Sequence, residues 1–509
     1  MTDANERAGD DTAEPRSLLS MAKPTQKAPL LKTLALLCLF LLGYLPASFA
    51  DTATATRVVV VVGGGLAGLT TAYELQKRGI VAQIIEASDV FGGRVATARY
   101  PGGLQAEYGM QEMWGDNPAL GMARELGVAL DEESGEPFSS VIIDGKLHAF
   151  VQDTAEQYFA TFLSDDEQAA LTTWLGKASA LRKTALAKGL ADGAVRALQD
   201  ISFAEWIERE KLPHKAAEFV RLTLECELAA PWDRFSALAG LLEFGIFLEG
   251  GQKHYHVRGG NIRLIEALAA ALTGPKLLSA RVVRVVRDKT GDAGRPTRVY
   301  YQRAGRIETV EAQAVVLAVP FTRLHSISLT PELSRAKREA IESLDYGQYV
   351  VAHLIVDRAA EDLWRINGET PLPVLSDGAL GVIYGTQGEG DLDARTDVFS
   401  LLVHGPAARR LHMKPHDEAV AEMTAALSKL WPGFNLHVRE TYLYSHHPAA
   451  VAVWPPGRSP LDAKAQALFE PEDGLYFAGD WLVSAHSDGA VVSGRRAAER
   501  IVKDLANRK

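Results

Sequence analysis

The chain has little cysteine. Only Cys38 and Cys226 occur among 509 residues, so a disulfide framework is excluded. It also lacks a block of like charge. Lys and Arg total 54 against 64 Asp and Glu, a net −10 with no basic run, which argues against a nucleic-acid partner. There is no internal repeat. Near the N-terminus the apolar run over residues 34–45 is twelve residues long, short of the ~20 that a membrane-crossing helix needs. Lys23, Lys27 and Lys32 precede it, and Ser48-Phe49-Ala50 follows with small residues at the −3 and −1 positions of a signal-peptidase site. Cleavage after Ala50 and export are the expectation. An uncleaved anchor, with membrane association through residues 30–47, is the alternative. The residues before Met21 are acidic and polar, unlike the start of a leader, so Met21 is a candidate true start. Cleavage removes five basic and five acidic residues, leaving the charge at −10, and takes Cys38 with it. Cys226 then has no partner for a disulfide and is expected to be buried and redox-idle.

What is present is organised around residues 58–87, VVVVVGGGLAGLTTAYELQKRGIVAQIIEA. The five valines read as a strand buried on both faces. Gly63, Gly65 and Gly68 follow as G-x-G-x-x-G. Residues 66–78 have helical spacing, with Leu69, Ala72, Tyr73 and Leu75 on an inner face, and Gly79 ends them. Residues 81–85 read as a second strand that closes at Glu86. The glycine pattern alone fits a plain strand-to-helix turn. Its context favours a dinucleotide. Gly63 permits the tight turn, Gly65 lets the backbone approach a pyrophosphate, Gly68 lets helix and strand pack closely, and the helix N-terminus supplies partial positive charge. Glu86, 18 residues after Gly68, can accept hydrogen bonds from ribose hydroxyls, and its charge disfavours the 2′-phosphate of NADP.

Further along, EASDVFGGRV carries Gly92, Gly93 and Arg94. Residues 153–209 are rich in Ala, Leu, Gln, Glu and Lys and read as helical, as does DRFSALAGLLEFGIFLEGG, ended by Gly250 and Gly251. HYHVRGGNIRLIEALAAAL reads as strand, glycine pair, helix. RVVRVVRD and RVYYQR alternate like a β-ribbon, AVVLAVP is a buried strand, and residues 349–356 alternate again. GLYFAGDWLVSAHSDGAVVSGRRAAERI reads as a strand over residues 475–478, then Gly479 and Asp480, then a helix from about Asp488. In this order and spacing, together with VWPPGRSP, the segments resemble the flavin-containing amine oxidase superfamily, monoamine oxidase-like and more distantly similar to carotenoid-type desaturases and protoporphyrinogen oxidases. The resemblance spans about residues 57–502. It implies an α/β fold in which a Rossmann-type FAD-binding domain (57–135, 252–332 and 441–506) is interleaved with an α+β substrate domain of helices and a mixed sheet (136–251 and 333–440).

The resemblance also implies roles. FAD is the cofactor. Gly63, Gly65 and Gly68 hold its pyrophosphate, Glu86 its adenosine ribose, and Gly93 and Arg94 lie near the phosphates. Val282 matches the position whose backbone contacts adenine, though an ordinary strand valine is the alternative. Gly479 and Asp480 meet the ribityl–phosphate stretch. The helix opening at Asp488 and Ala490 turns its N-terminal amides toward the flavin, where reduction places negative charge. Where relatives attach flavin through a cysteine, this chain has about Ala449, so FAD is expected to be non-covalent. The two aromatic rings that flank the amine in many relatives would fall near Ala450 and His486. YGQYVVAHLIVDR lacks the lysine that many relatives carry on that strand. Val351, His353 and Ile355 share one of its faces.

His486 and His353 are therefore the candidate catalytic residues. A neutral imidazole titrating near pH ~6.5 suits the removal of a proton from a substrate ammonium. A structural strand histidine is the alternative for His353. AHSD is no catalytic triad, because neighbours in sequence cannot line up as one. His254 and His256 share a strand face, but no third ligand is near them in sequence, so no metal is expected.

Three readings remain open. The first is an FAD-dependent enzyme that oxidises a C–N bond of an amine or amino-acid derivative, with O2 as electron acceptor and H2O2 as product. The second is a desaturase acting on C–C bonds of an apolar substrate. The third is a non-catalytic flavin-fold binding protein. No Arg-Arg pair precedes the apolar leader core, so an exported protein would acquire its cofactor after translocation. N-terminal sequencing of native protein is expected to begin at Asp51. A first residue within the leader, recovered from membranes, would favour the anchor.

Overall fold

The computed structural model describes residues 59–507 apart from 136, 250–252, 288–295 and 386–394. The leader, the Ala50 site, residues 30–47, Cys38, Val58, Gly250 and Gly251 lie outside the described residues.

Val59–Val62 is the middle strand of a parallel five-stranded sheet. The order across that sheet is Lys276–Leu277, Ala82–Ile85, Val59–Val62, Ala314–Leu317 and Leu475–Phe477. Val59 and Val61 join one apolar cluster, while Val60 and Val62 join another. That division explains the unbroken valine run, because a strand covered on both faces has no polar side to show. The strand order is that of a doubly wound nucleotide-binding sheet, and it reverses between Val59–Val62 and Ala314–Leu317.

Helices cover one face. Leu66–Lys77 buries Leu69, Ala72, Tyr73 and Leu75, the face expected from their spacing. Ser487–Asn507 packs across it. The two approach so closely that a Cβ on Gly494 would lie 2.7 Å from the Ala67 carbonyl oxygen.

The second layer of the fold is a mixed seven-stranded sheet. Its order is Val438–Val453, Asp345–Asp357, Thr396–His404, Val382–Tyr384, Val374–Leu375, Ser140–Ile143 and Lys146–His148. Val374–Leu375 and Ser140–Ile143 run parallel there, while Asp345–Asp357 is antiparallel to both of its neighbours. Helices including Asp165–Lys188, His214–Leu228 and Ala237–Glu243 lie in the chain between these strand groups. The fold is thus α/β, with a helix-plus-mixed-sheet second part. One expected boundary is corrected. A nucleotide-domain segment starting at residue 441 would cut through Val438–Val453, which pairs along Asp345–Asp357 of the seven-stranded sheet. The strand follows its partner past three register irregularities.

Gly68 sets the distance between the first strand and the first helix. A Cβ there would lie 2.0 Å from the Gly63 carbonyl oxygen. Gly68→Ala is expected to destabilise flavin-free protein by about 1–3 kcal/mol through overpacking. The control is Gly121→Ala, in the helix Pro118–Glu125, where an added Cβ meets nothing within 4 Å. Urea unfolding of both variants checks this, and equal midpoints would contradict it.

Candidate active site

The carboxyl ends of Val59–Val62 and Ala314–Leu317 open at the sheet's switch point, where a doubly wound sheet receives its ligand. The three glycines of the turn are glycine for three different reasons. Gly63 has φ +109°, and its Cβ would lie 2.3 Å from the Ala318 oxygen. Gly68 is closed by Gly63 itself. Gly65 has φ −78° and ψ −179°, open to any residue, and nothing lies nearer to its would-be Cβ than Gly92 O at 3.8 Å. Space, not backbone conformation, is what a side chain at Gly65 would take away.

The second glycine loop closes on the first. Gly92 N donates to Gly64 O at 3.0 Å, and Gly93, at φ +61°, comes within 3.5 Å (would-be Cβ to Cα) of Gly65. Glu86 is tied to the same turn, accepting from Gly64 N at 2.6 Å and from Ser88 N at 2.7 Å. The strand Ala280–Val286 joins there too, since Ala280 N donates to Glu86 O at 2.8 Å. Val282 lies two residues on, with its side chain in the core and a register shift between it and Arg284.

Arg94 and Asp480 are 386 residues apart in sequence and meet as a fork. Arg94 Nη1 donates to Asp480 Oδ2 at 2.7 Å and Nη2 to Oδ1 at 2.5 Å, while Nη1 also reaches the Ala450 carbonyl at 2.7 Å. Burial opposes the Arg94 charge, but the Asp480 carboxylate overrides it and raises the guanidinium further. Beside the pair, Gly479 N donates to Ser493 Oγ at 2.9 Å. The helix Ser487–Asn507 begins in the same place. Ser484 Oγ donates to Asp488 Oδ2 at 2.8 Å, and Ala490 N to His486 O at 3.2 Å. Its first-turn amides carry the partial positive charge of a helix N-terminus. A glycine cradle with room only at Gly65, an acid at the second strand's end and a helix N-terminus fit the parts of FAD.

The two candidate catalytic histidines are not together, and each differs from the neutral base expected. His486 Nε2 lies 2.6 Å from Glu243 Oε1. Burial would lower its pKa, but Glu243, with Glu227 and Asp488 behind it, raises the imidazolium to about 10. The facing carboxylates thus favour the imidazolium, which has no lone pair to accept a proton. His353 has no exposed surface. Its Nδ1 meets the Tyr100 hydroxyl at 2.5 Å, and its Nε2 meets the Glu107 carbonyl at 3.1 Å. Burial lowers its pKa to about 4. With both nitrogens engaged inside a cluster with Tyr100 and Tyr444, His353 is a structural histidine rather than a proton acceptor.

The residues that surround His486 escaped the sequence reading. Ligand-capable atoms of Glu227, Glu243 and His486 lie within 4.8 Å of one another. Burial pushes the Glu227 carboxyl up to about 7; the His486 cation pulls against this, and Glu243 and Glu112 add to it. Tyr349 and Tyr384 feel the charge of Glu227 as well, and burial raises both phenols. A signal existed in ALAGLLEFG, where Glu243 is a lone acid in an apolar helix. His254 and His256 do acquire a third group, Glu112, brought across by strand pairing.

Residues 66–502 match the sequence model of a family described as flavin containing amine oxidoreductase. Polyamine oxidase 3 of Oryza sativa subsp. japonica is 27% identical, over 87% of this chain and 89% of the relative. A pseudooxynicotine dehydrogenase of a Pseudomonas species is 22% identical, over 88% and 86%. A solved structure of putrescine oxidase bound to putrescine superposes with a TM-score of 0.71 at 22% identity, over 88% of this chain and 99% of that one. Cyclohexylamine oxidase from Brevibacterium oxydans IH-35A gives 0.71 at 18% identity, over 89% and 100%; both structures establish likeness of fold.

Asp480 is 3% exposed, so losing Arg94 would strand its charge. Arg94→Ala is expected to cost about 3–5 kcal/mol in urea unfolding of flavin-free protein. Arg94→Ala with Asp480→Ala should recover part of it. A double variant no more stable than the single one would show that the pair is not the source of the loss.

Proposed function

The chain belongs to the flavin-containing amine oxidoreductase family, and from that premise we propose that it oxidises a small amine with more than one cationic centre. It is an FAD-dependent oxidoreductase acting on amines. The observation that carries the substrate class is the excess of carboxylates beside the Ser487–Asn507 helix. Glu227 and Glu243 stand together there, against the single cation of His486. Two carboxylates facing one cation leave a net negative charge that a cationic amine matches, and the relatives narrow the class to diamines and polyamines. Relatives named for polyamine and putrescine support the same class.

Bound flavin supplies a two-electron acceptor for the carbon–hydrogen bond next to nitrogen. The chain's own groups bind, orient and deprotonate. An ammonium must lose its proton before its carbon can give up a hydride. Glu227, with its carboxyl at about 7, is the group beside His486 whose ionised form can take that proton at neutral pH. His486, held as a cation by Glu243, positions the carboxylates and keeps them from repelling one another. The resulting imine is hydrolysed by water to aldehyde and ammonia, and O2 is the proposed final acceptor, leaving as H2O2. Ala449 offers no thiol, which supports FAD held without a covalent bond.

Three measurements test this reading. Under anaerobic conditions, diamines and polyamines should bleach the flavin, while polyenes should not. Bleaching by polyenes alone would overturn amine oxidation. For an active diamine, kcat/KM should rise through pH ~7. Below that value Glu227 is protonated and neutral; above it, ionised and able to bind and deprotonate a cation. His486, near 10, stays charged throughout. Glu227→Gln should lose that step and lower kcat/KM by about 10²-fold with flavin content intact, as for removal of a general base. An unchanged pH profile would remove Glu227 from the chemistry.

A further inference from the structure

We propose that Glu112, His254 and His256 form a binding site for one divalent transition-metal ion, with Glu133 and the Gln111 carbonyl as its outer support. The central strand Lys253–Val257 pairs with Met113–Trp114 on one side and Leu130–Ser134 on the other. Alternation puts His254 and His256 on the same face. Register places Trp114 opposite His254 and Met113 opposite Tyr255, so Glu112 comes next along the neighbouring chain. One ligand atom from each of the three residues lies within 4.8 Å of the other two, and His256 Nε2 is 3.9 Å from Glu112 Oε2.

Hydrogen bonds decide where the lone pairs are. His256 Nδ1 faces the Gln111 carbonyl at 3.3 Å, and a carbonyl only accepts. Nδ1 therefore carries the proton, and in the neutral ring Nε2, the nitrogen facing Glu112, keeps the lone pair. His254 Nε2 faces Glu133 Oε2 at 3.0 Å and donates to it. That leaves the lone pair of the neutral ring on Nδ1, which is shut off from solvent and has no hydrogen-bond partner among the described residues. Trp114 Nε1 donates to Glu112 Oε1 at 2.7 Å, which leaves Oε2 toward His256. Ligating imidazoles characteristically give their second nitrogen to a carboxylate or a carbonyl, and here one does each. A solvated pair of strand histidines would not account for a buried, unpartnered ring nitrogen.

The donor set selects the ion. Two imidazoles and one carboxylate, without thiolate, suit a borderline divalent ion such as Zn2+ rather than a soft monovalent one, and leave at least one position for water. Glu112 and Glu133 together balance a dication. Side-chain exposures of 18% for His254, 17% for His256 and 22% for Glu112 leave the group reachable while shielding it from bulk water. The ligand atoms need to draw together by roughly an ångström to reach metal–ligand distances of ~2.0–2.2 Å, which side-chain rotation supplies.

The test uses flavin-loaded protein stripped with a chelator. Zn2+ titrated calorimetrically should bind with one-to-one stoichiometry, and Co2+ in its place should give d–d absorption indicative of a low-coordinate site with nitrogen ligands. His256→Ala and Glu112→Gln should each weaken Zn2+ by at least 10²-fold. Glu133→Gln should weaken it about 10- to 100-fold, as loss of an outer partner does. Retained flavin absorbance reports that each variant is folded. Absence of stoichiometric Zn2+ binding by the unaltered protein, or binding unaffected by both His256→Ala and Glu112→Gln, would overturn the proposal.

Discussion

The contact on which the site depends is the fork between Arg94 and Asp480. It joins the loop after the second strand to the turn after the last strand, across 386 residues of chain. Each partner alone would be costly, because Asp480 is almost completely buried and a lone carboxylate there would be driven to take up a proton. Together they hold Gly92–Gly93 against the first glycine turn and fix the start of the Ser487–Asn507 helix beside it. Arg94 also takes the Ala450 carbonyl, so the seven-stranded sheet's outer strand, Val438–Val453, is tied to the same point. Three stretches remote in sequence thus share one charge pair.

Electrostatics then divides the site into regions of opposite sign. Around the glycine turn the available groups are backbone amides, the arginine and a helix N-terminus, an environment made for phosphate and for charge on a reduced flavin. Around His486 the groups are carboxylates, an environment made for ammonium. His486 carries its proton because the acids demand it, and Glu227 titrates near neutrality because burial and its acidic neighbours outweigh that cation. The two shifts have a common origin in Glu227 and Glu243, so neither residue's protonation can be read without the other.

Much of the nucleotide-binding part was legible in the sequence because its causes are local. A strand covered on both faces needs an unbroken apolar run, and a tight turn into a helix needs its glycines within six residues. Arg94 and Asp480 were each legible as single residues, but their pairing was not, since nothing in spacing reports a contact made through a sheet. Glu227 and Glu243 were harder still. An acid in an apolar helix reads as a flaw until the fold places a histidine opposite it. The boundary at residue 441 failed for a similar reason, because the segment that follows the strand carries the recognisable motif while the strand itself belongs to the other sheet.

The two histidines chosen from sequence show how far residue type underdetermines role. His353 and His486 share an intrinsic pKa, yet one falls to about 4 and the other rises to about 10. Burial pushes both downward. The difference lies in what faces the ring. His353 meets a tyrosine hydroxyl and a peptide carbonyl, which orient it without providing an opposing charge. His486, whose side chain is 36% exposed, meets a carboxylate at 2.6 Å, and that ion pair outweighs the partial loss of solvent. Neither ring is left in the state a general base requires, and the proposed proton exchange near neutral pH falls to a carboxylate that the helices bring alongside. On the proposed mechanism, catalytic competence is a property of the charge cluster, set by the packing of the helices His214–Leu228, Ala237–Glu243 and Ser487–Asn507, rather than of any side chain that could be picked out by type.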